Sequence, residues 1–173
     1  VHQPSLPLTP ELCHWLDELY TQARQQCLSD FKQWCFSSLQ SLLRFDSGLW
    51  ATRSDLQKLK PDHWVDDTCL FNQPDDFMDS YVKIISLVQH DPLNQHLVTH
   101  PGQFFSIWHC SEKPQWFETD FYLKHCHLFG IENAISALTL PTDNSAVSHV
   151  FSFYRAKRDD DFSADETLLA NFI

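Results

Sequence analysis

Three glycines in 173 residues, a single methionine and no Cys-x-x-Cys pair narrow the possible chemistry before any motif is read. Loops that cradle phosphates need clustered glycines, so the nucleotide-binding loops of that kind are excluded. Basic charge is also scarce, with 12 Lys and Arg against 23 Asp and Glu and a formal net charge of −11. Affinity for nucleic acid rests on neutralising phosphates, so this chain by itself is not expected to bind DNA. No apolar run reaches the roughly 18 residues needed to cross a bilayer, and no membrane partner is expected. The opening VHQPSLPLTP lacks the basic start and apolar stretch of a secretion signal. A cytoplasmic location follows as the expectation, with the six Cys as free thiols. The first residue is Val, which fits a trimmed fragment.

What is abundant is apolar and aromatic. Hydrophobic residues make up 43% and charged residues 20%, the balance of one globular domain with a sizeable core. The aromatic fraction is 14%, with fourteen Phe and six Trp. Large rings fill cores, and a surplus of them also lines apolar ligand pockets.

Local chemistry places the elements. Thr9-Pro10-Glu11 is a helix start, followed at helical spacing by Leu12, Trp15, Leu16, Leu19, Ala23 and Cys27. Ser29-Asp30 opens a second helix carrying Phe31, Trp34, Cys35, Leu39, Leu42 and Leu43, with Cys27 and Cys35 read as small buried hydrophobes. Asp46-Ser47-Gly48 breaks that pattern, and Leu49–Thr52 and Trp64–Phe71 read as strands. Pro74 begins a third helix with Phe77, Tyr81, Ile84 and Ile85 on its inner side. Asp91-Pro92 marks another start and Pro101-Gly102 a turn, and Phe104–Trp108 reads as a strand. Thr119 caps a helix to Phe129, with Gly130 as its left-handed terminator. Ile131–Leu140 and Ala146–Arg155 flank the turn-forming PTDNS as a hairpin. Ser163-Ala164-Asp165-Glu166 is a capping box, with Leu168, Leu169, Phe172 and Ile173 on one face of the helix behind it. That order predicts an α/β/α sandwich, helices on both faces of a central antiparallel sheet. The last helix stops after about three turns, so a continuation or a partner helix is expected beyond Ile173.

The most conspicuous cluster of candidate ligands is His125-Cys126-His127, with Cys13-His14 and His109-Cys110 elsewhere. On a helix, residues two apart diverge by about 200°, so His125 and His127 do not converge on one ion. His127 goes with Lys124 to solvent, and His125 and Cys126 are read as packing. His96 and His100 are better spaced, but Leu97 stands where the zinc-protease pattern needs Glu, and Pro101 pulls His100 out of helical geometry. No metal and no cofactor are expected. Asp66-Asp67 and Asp159–Asp161 read as solvated turns rather than a catalytic carboxylate pair. No local signature singles out a Cys–His nucleophile, so the chain is read as a non-enzyme.

Three stretches carry a family resemblance: FYLKHCHLFGIENAISALTLP (121–141), SAVSHVFSFYR (145–155) and DDDFSADETLLANF (159–172). They resemble the second half of the sensory domains of LuxR-type transcription regulators. PDDFMDSY (74–81) with Asp91-Pro92 resembles the corresponding segment of the autoinducer-binding members. The resemblance implies a GAF/PAS-like ligand-binding sandwich, residues 1–162, and a linker helix starting at 163–173 that leads to a helix-turn-helix domain absent from this chain. DNA contact would belong to that domain. A homodimer and a small apolar or aromatic signal molecule are the implied partners. Asp91 matches the Asp that accepts from a ligand amide, Tyr81 matches a pocket Tyr, and Ser152 falls near a pocket hydroxyl. Phe77 and Gln73 depart from the pattern, standing where those members carry a Trp and a Tyr that donate to the ligand. The Tyr81–Asp91 spacing is one residue longer than usual. These departures point away from a standard acyl-homoserine lactone, because a site built on specific donors loses affinity without them.

Each of these residues also has a structural reading. Phe77 and Tyr81, four apart on an amphipathic helix, serve equally as core. Asp91 is as good a helix cap as a ligand contact, and Ser152 fits an alternating strand. Trp50, Trp64 and Trp108 either line a cavity or fill it, and Trp108 joins the candidate pocket set. Three functions therefore stand side by side: a signal sensor, a ligand-free dimerisation scaffold, and, last, a Cys or His enzyme.

Overall fold

The chain opens as its capping chemistry dictates. Thr9 accepts a hydrogen bond from the Leu12 amide, Pro10 occupies the first turn, and α1 (Pro10–Gln25) follows. The computed structural model describes residues 9–53, 67–88, 90–141, 147–157 and 160–172. Trp64 and most of the PTDNS turn lie outside these residues. The buried stripe of α1 is shorter than its sequence pattern. Leu12 and Trp15 are buried, but Ala23 and Cys27 are exposed because the helix runs past what it packs on. Cys27 is instead the N-cap residue of α2 (Leu28–Leu39), which starts just ahead of Ser29.

Among the described residues, five strands form one antiparallel sheet in the order β2-β1-β5-β4-β3. They are β1 (Ser47–Arg53), β2 (Asp67–Phe71), β3 (Phe105–Ser106), β4 (Asn133–Thr139) and β5 (Ser148–Arg155). The hairpin of β4 and β5 pairs Ser136 with Ser152 and Ala137 with Phe151, and β1 continues these rows with Leu49 and Trp50. β3 is much shorter than the expected Phe104–Trp108. Ser106 accepts from the Trp108 amide and turns the chain into a 3₁₀ turn at Ile107–His109.

Alternation sends successive strand residues to opposite faces. On the front face, Leu49, Ala51, Ala134 and Tyr154 join a core with Phe77, Leu93, Leu97, Trp116 and Tyr122. Those residues come from α3 (Phe77–Lys83), α5 (Pro92–Thr99), α6 (Lys113–Phe117) and α7 (Asp120–Lys124), with the one-turn α4 (Ile85–Val88) between α3 and α5. On the reverse face, Phe71, Ile135 and Phe153 pack with Trp15, Phe36, Leu39 and Ala170 from α1, α2 and α8 (Ala164–Ala170). The sandwich is therefore α/β/α, as the order of elements predicts.

Two helices differ from the sequence pattern for tertiary reasons. The expected helix Thr119–Phe129 breaks at His125, whose φ of −135° and ψ of −70° separate α7 from a 3₁₀ turn at Cys126–Phe129. His125 is drawn into the core instead, its ring 4.7 Å from that of Phe77 and its Nδ1 3.1 Å from Ser80 Oγ. Gly130 then ends the segment at φ 66°, the left-handed conformation expected of it. In α8 the Ser163–Glu166 capping box is complete, but the buried residues are Thr167 and Ala170, while Phe172 is exposed.

Two features lock the reverse face. A Cβ on Gly48 would stand 2.5 Å from Phe36 Cε1 and 3.0 Å from the Ser152 carbonyl oxygen, so only glycine fits under that ring. Arg155, at the end of β5 and 3% exposed, donates from Nε and Nη2 to the Arg44 carbonyl (3.0 and 2.8 Å) and from Nη1 to the Asp161 carbonyl (2.7 Å). It also pairs with Glu166, and its guanidinium lies 4.0 Å from the Phe162 ring centroid.

Candidate functional site

Between the front face of the sheet and its covering helices lies a cavity of about 60 Å³. Its floor is set by strand alternation: Leu49, Ser136 and Ser152 are cross-strand neighbours on β1, β4 and β5. The two serines share a 2.8 Å hydrogen bond in which either can donate. Tyr81 from α3, Asp91 at the head of α5, Trp116 from α6 and Phe121 from α7 close the roof.

Asp91 is 4% exposed. Its Oδ1 caps α5, accepting from the Asn94 amide (3.1 Å) and the Asn94 side chain (3.3 Å). Its Oδ2 has no hydrogen-bond partner of regular geometry, and neither has the buried indole N–H of Trp116. Burial raises the Asp91 carboxyl above the usual carboxylate range, opposed by the Asn94 and Leu93 amides and by the nearby Trp116 indole. The indole and the carboxylate therefore face each other in an imperfect hydrogen bond that satisfies neither fully. An acceptor and a donor, both desolvated and only weakly engaged with each other, border an otherwise mostly apolar cavity. Such groups are costly to bury unpaired and few native ones stay so.

Tyr81, Asp91 and Ser152 are brought together around this cavity, whereas Gln73, Phe77 and Trp108 do not line it. Gln73 sits near the β1–β2 end, where its Nε2 donates to Ser47 Oγ at 2.7 Å. Phe77 is packed edge-on against His125 and Phe129. Trp108 donates to Asn133 Oδ1 at 2.6 Å and meets the edge of Trp116, one ring away from the cavity. Burial raises the Tyr81 and Tyr154 hydroxyls well above their ordinary range, so both stay protonated.

The His-Cys-His run divides as its spacing predicts. His127 is exposed, its Nδ1 3.9 Å from Glu132 Oε1. His125 is buried, and burial lowers its imidazole to about 4. His96 and His100 stack with ring centroids 4.2 Å apart, and His100 has left helical geometry. Among the described residues, no three His, Cys, Asp or Glu converge as a metal site. Burial raises the thiols of Cys35, Cys69, Cys110 and Cys126, the opposite of what an activated nucleophile needs. None of the described helices is long and apolar enough to cross a membrane.

Trp116, like Leu49, Phe121 and Ser136, is a cavity residue absent from the sequence-derived candidates. Its signal was a helix start in EKPQW, with Glu112 as N-cap and Pro114 in the first turn, which places a Trp one turn inside a short helix.

This architecture, a five-stranded antiparallel sheet with a small cavity under α3, α5, α6 and α7, is the fold of the autoinducer-binding domains of LuxR-family regulators. The individual likenesses are structural. The VqsR LBD domain from Pseudomonas aeruginosa superposes with a TM-score of 0.62 at 14% identity, covering 95% of this chain and 90% of that one. CepR2 from Burkholderia cenocepacia, an N-acylhomoserine lactone dependent LuxR family transcription factor, gives 0.60 at 15% identity, covering 92% and 87%. Escherichia coli SdiA gives 0.58 at 13% identity, covering 92% of this chain and 63% of that one. No family model matches the sequence, and no curated protein does.

Proposed function

We propose that the chain is the signal-sensing domain of a LuxR-type transcription regulator, residues 1–162, whose α8 segment (163–173) leads toward a DNA-binding helix-turn-helix domain. In this reading it acts as a homodimer in the cytoplasm and is not an enzyme. The signal is a small, largely apolar molecule other than a standard acyl-homoserine lactone, held between Tyr81, Asp91 and Ser152. Phe77 and Trp108 back the cavity walls, and Gln73 braces the sheet end beside them. The observation that carries the reading is the incompletely satisfied pair of Asp91 Oδ2 and the Trp116 indole N–H at the cavity. One ligand group offering a donor and an adjacent acceptor satisfies both. Against a homoserine lactone stand Phe77, which has no donor, and Gln73, which lies away from the cavity and donates from Nε2 to Ser47.

A cavity of about 60 Å³ is far below the roughly 300–1,000 Å³ of ligand pockets, so binding requires the roof helices to move outward. A ligand that binds only this opened state shifts its population in proportion to its differential affinity. The same small volume favours a second reading, a ligand-free dimerisation scaffold packed solid.

A thermal-shift screen with acyl-homoserine lactones, indoles, quinolones and fatty acids separates the two. A saturable rise in melting temperature, lost in Asp91→Asn, is the expected result. A well-folded domain that responds to none of these compounds would leave the scaffold reading standing.

A further inference from the structure

An aromatic-lined void larger than the front cavity lies on the other side of the sheet. Between α1, α2 and α8 a cleft of about 350 Å³ opens over the reverse face, nearly six times the volume of the front cavity. Its origin is legible in one cross-strand row. Trp50 on β1 and Phe151 on β5 are followed on β4 by Ala137, so the row shrinks abruptly from rings to a methyl group. β3 pairs only with Ile135 and Ser136, so Ala137 and Thr139 have no strand neighbour on that side among the described residues. Phe104 and Asn171 wall the cleft across from Trp15 and Leu19.

We propose that this cleft is a second ligand site, one that takes a neutral, planar aromatic molecule of about two fused rings. The lining fixes the chemistry. Trp15, Phe31, Phe36, Trp50, Phe104, Phe151 and Phe153 supply aromatic rings, and no Lys, Arg, Asp or Glu among the described residues lines the cleft. Its polar groups are already committed. Thr139 Oγ1 accepts from the His149 amide, the Trp50 indole donates to His149 Nδ1, and the Trp15 indole donates to Ser38. Asn171 Oδ1 accepts from the Phe104 amide at 2.6 Å while its Nδ2 donates to Phe104 and Thr167 carbonyls. Burial pushes the Cys35 thiol up to about 12, so it too is neutral. Nothing in the cleft selects a charged head group.

Size excludes the alternatives of larger and smaller scale. An apolar cavity of about 150 Å³ accepts one benzene, so 350 Å³ suits a bicyclic ring system. A molecule much larger than a bicyclic ring system exceeds that volume. The site is also placed to be read. Asn171 follows α8 directly and clamps the Phe104 backbone from both sides, so a ring wedged beside Phe104 presses on that helix end.

The test is an amide shift map of the 173-residue chain titrated with 2-naphthol. Saturable shifts are expected at Phe104, Ala137, Thr139, Phe151 and Asn171 and at the Trp15 and Trp50 indoles, with Ala134, Ser136 and Ser152 unmoved. Ala137→Met, which fills the cleft, weakens binding at least about tenfold, and Ala134→Met, which fills the front cavity, leaves it unchanged. Shifts centred on Ala134 and Ser136 would move the ligand to the front cavity and overturn this site without touching the proposed sensing function. The inference also fails if the folded wild-type chain shows no saturable shift, or if folded Ala137→Met binds 2-naphthol undiminished. Movement of the same amides on simple dilution would assign the cleft to a second copy of the chain instead.

Discussion

Removing the Arg155 guanidinium tests the energetics of this fold most directly. Arg155→Met keeps an unbranched chain in a buried place but removes every donor. The carbonyls of Arg44 and Asp161, two residues at the protein surface, lose their charged donor, and Glu166 loses its cation. Hydrogen bonds from a charged donor are worth about 1.5–3 kcal/mol each. Glu166 is 29% exposed and regains water, so it adds less. The total comes to about 3–5 kcal/mol, the range seen when one partner of a buried ion pair is removed. Set against a stability of about 0.05–0.15 kcal/mol per residue, this is a large fraction of the whole. Urea unfolding followed by circular dichroism is the assay, and the midpoint should fall with an unchanged slope. Acid supplies an internal check. Burial pushes the Glu166 carboxyl up, but Arg155 and the Ser163 amide outweigh it and hold it below its ordinary value. Its stabilisation is therefore present at neutral pH and lost as pH falls through that lowered value. The gap between wild type and Arg155→Met should narrow in acid. A loss under about 1 kcal/mol at neutral pH, or a gap that widens in acid, would refute the reasoning.

Three further outcomes follow from the same geometry. Gly48→Ala should destabilise by about 1–3 kcal/mol, since Phe36 or the β1–β5 pairing must shift to admit the methyl; a near-neutral urea midpoint would contradict that. His125, lowered from 6.5 to about 4 by burial, binds its proton more weakly folded than unfolded. Stability should fall with pH between those values, by up to about 3 kcal/mol, and His125→Gln should flatten that part of the profile. Ser163→Ala removes the hydroxyl that accepts from the Glu166 amide, leaves the backbone N–H of residue 163 on the Glu166 carboxylate, and should cost about 0.5–2 kcal/mol, with faster hydrogen exchange confined to the first turn of α8.

What the sequence disclosed and what it withheld divide along physical lines. Helix starts are local chemistry, and the caps at Thr9, Asp91, Thr119 and Ser163 each accept the backbone hydrogen bond that their sequence implies. The hairpin and its two faces were legible from alternation in SHVFSFYR. The break at His125 was not, because it results from Phe77 and Ser80, some 45 residues earlier in the chain. Nor was the shortness of β3, where one serine hydroxyl diverts the chain. At the site, Asp91, Tyr81 and Ser152 were reached through the family resemblance. Trp116 was not, since nothing local tells a core Trp from one that faces a carboxylate. Cavity size is the least legible quantity of all: Ala137 reads as an ordinary small strand residue until its row is assembled.

Gly48 also bears on how the chain avoids misfolding. Hairpin strands can pair one or two residues out of step, and such errors preserve most backbone hydrogen bonds. In β1 the flanking residues are Asp46, Ser47, Leu49 and Trp50, every one of which carries a Cβ. Any slip would drive one of those side chains into the Phe36 ring, where even a methyl carbon has no room. The single missing side chain thus works as a key with one tooth, admitting the correct alignment of β1 on β5 and rejecting the neighbouring ones by collision.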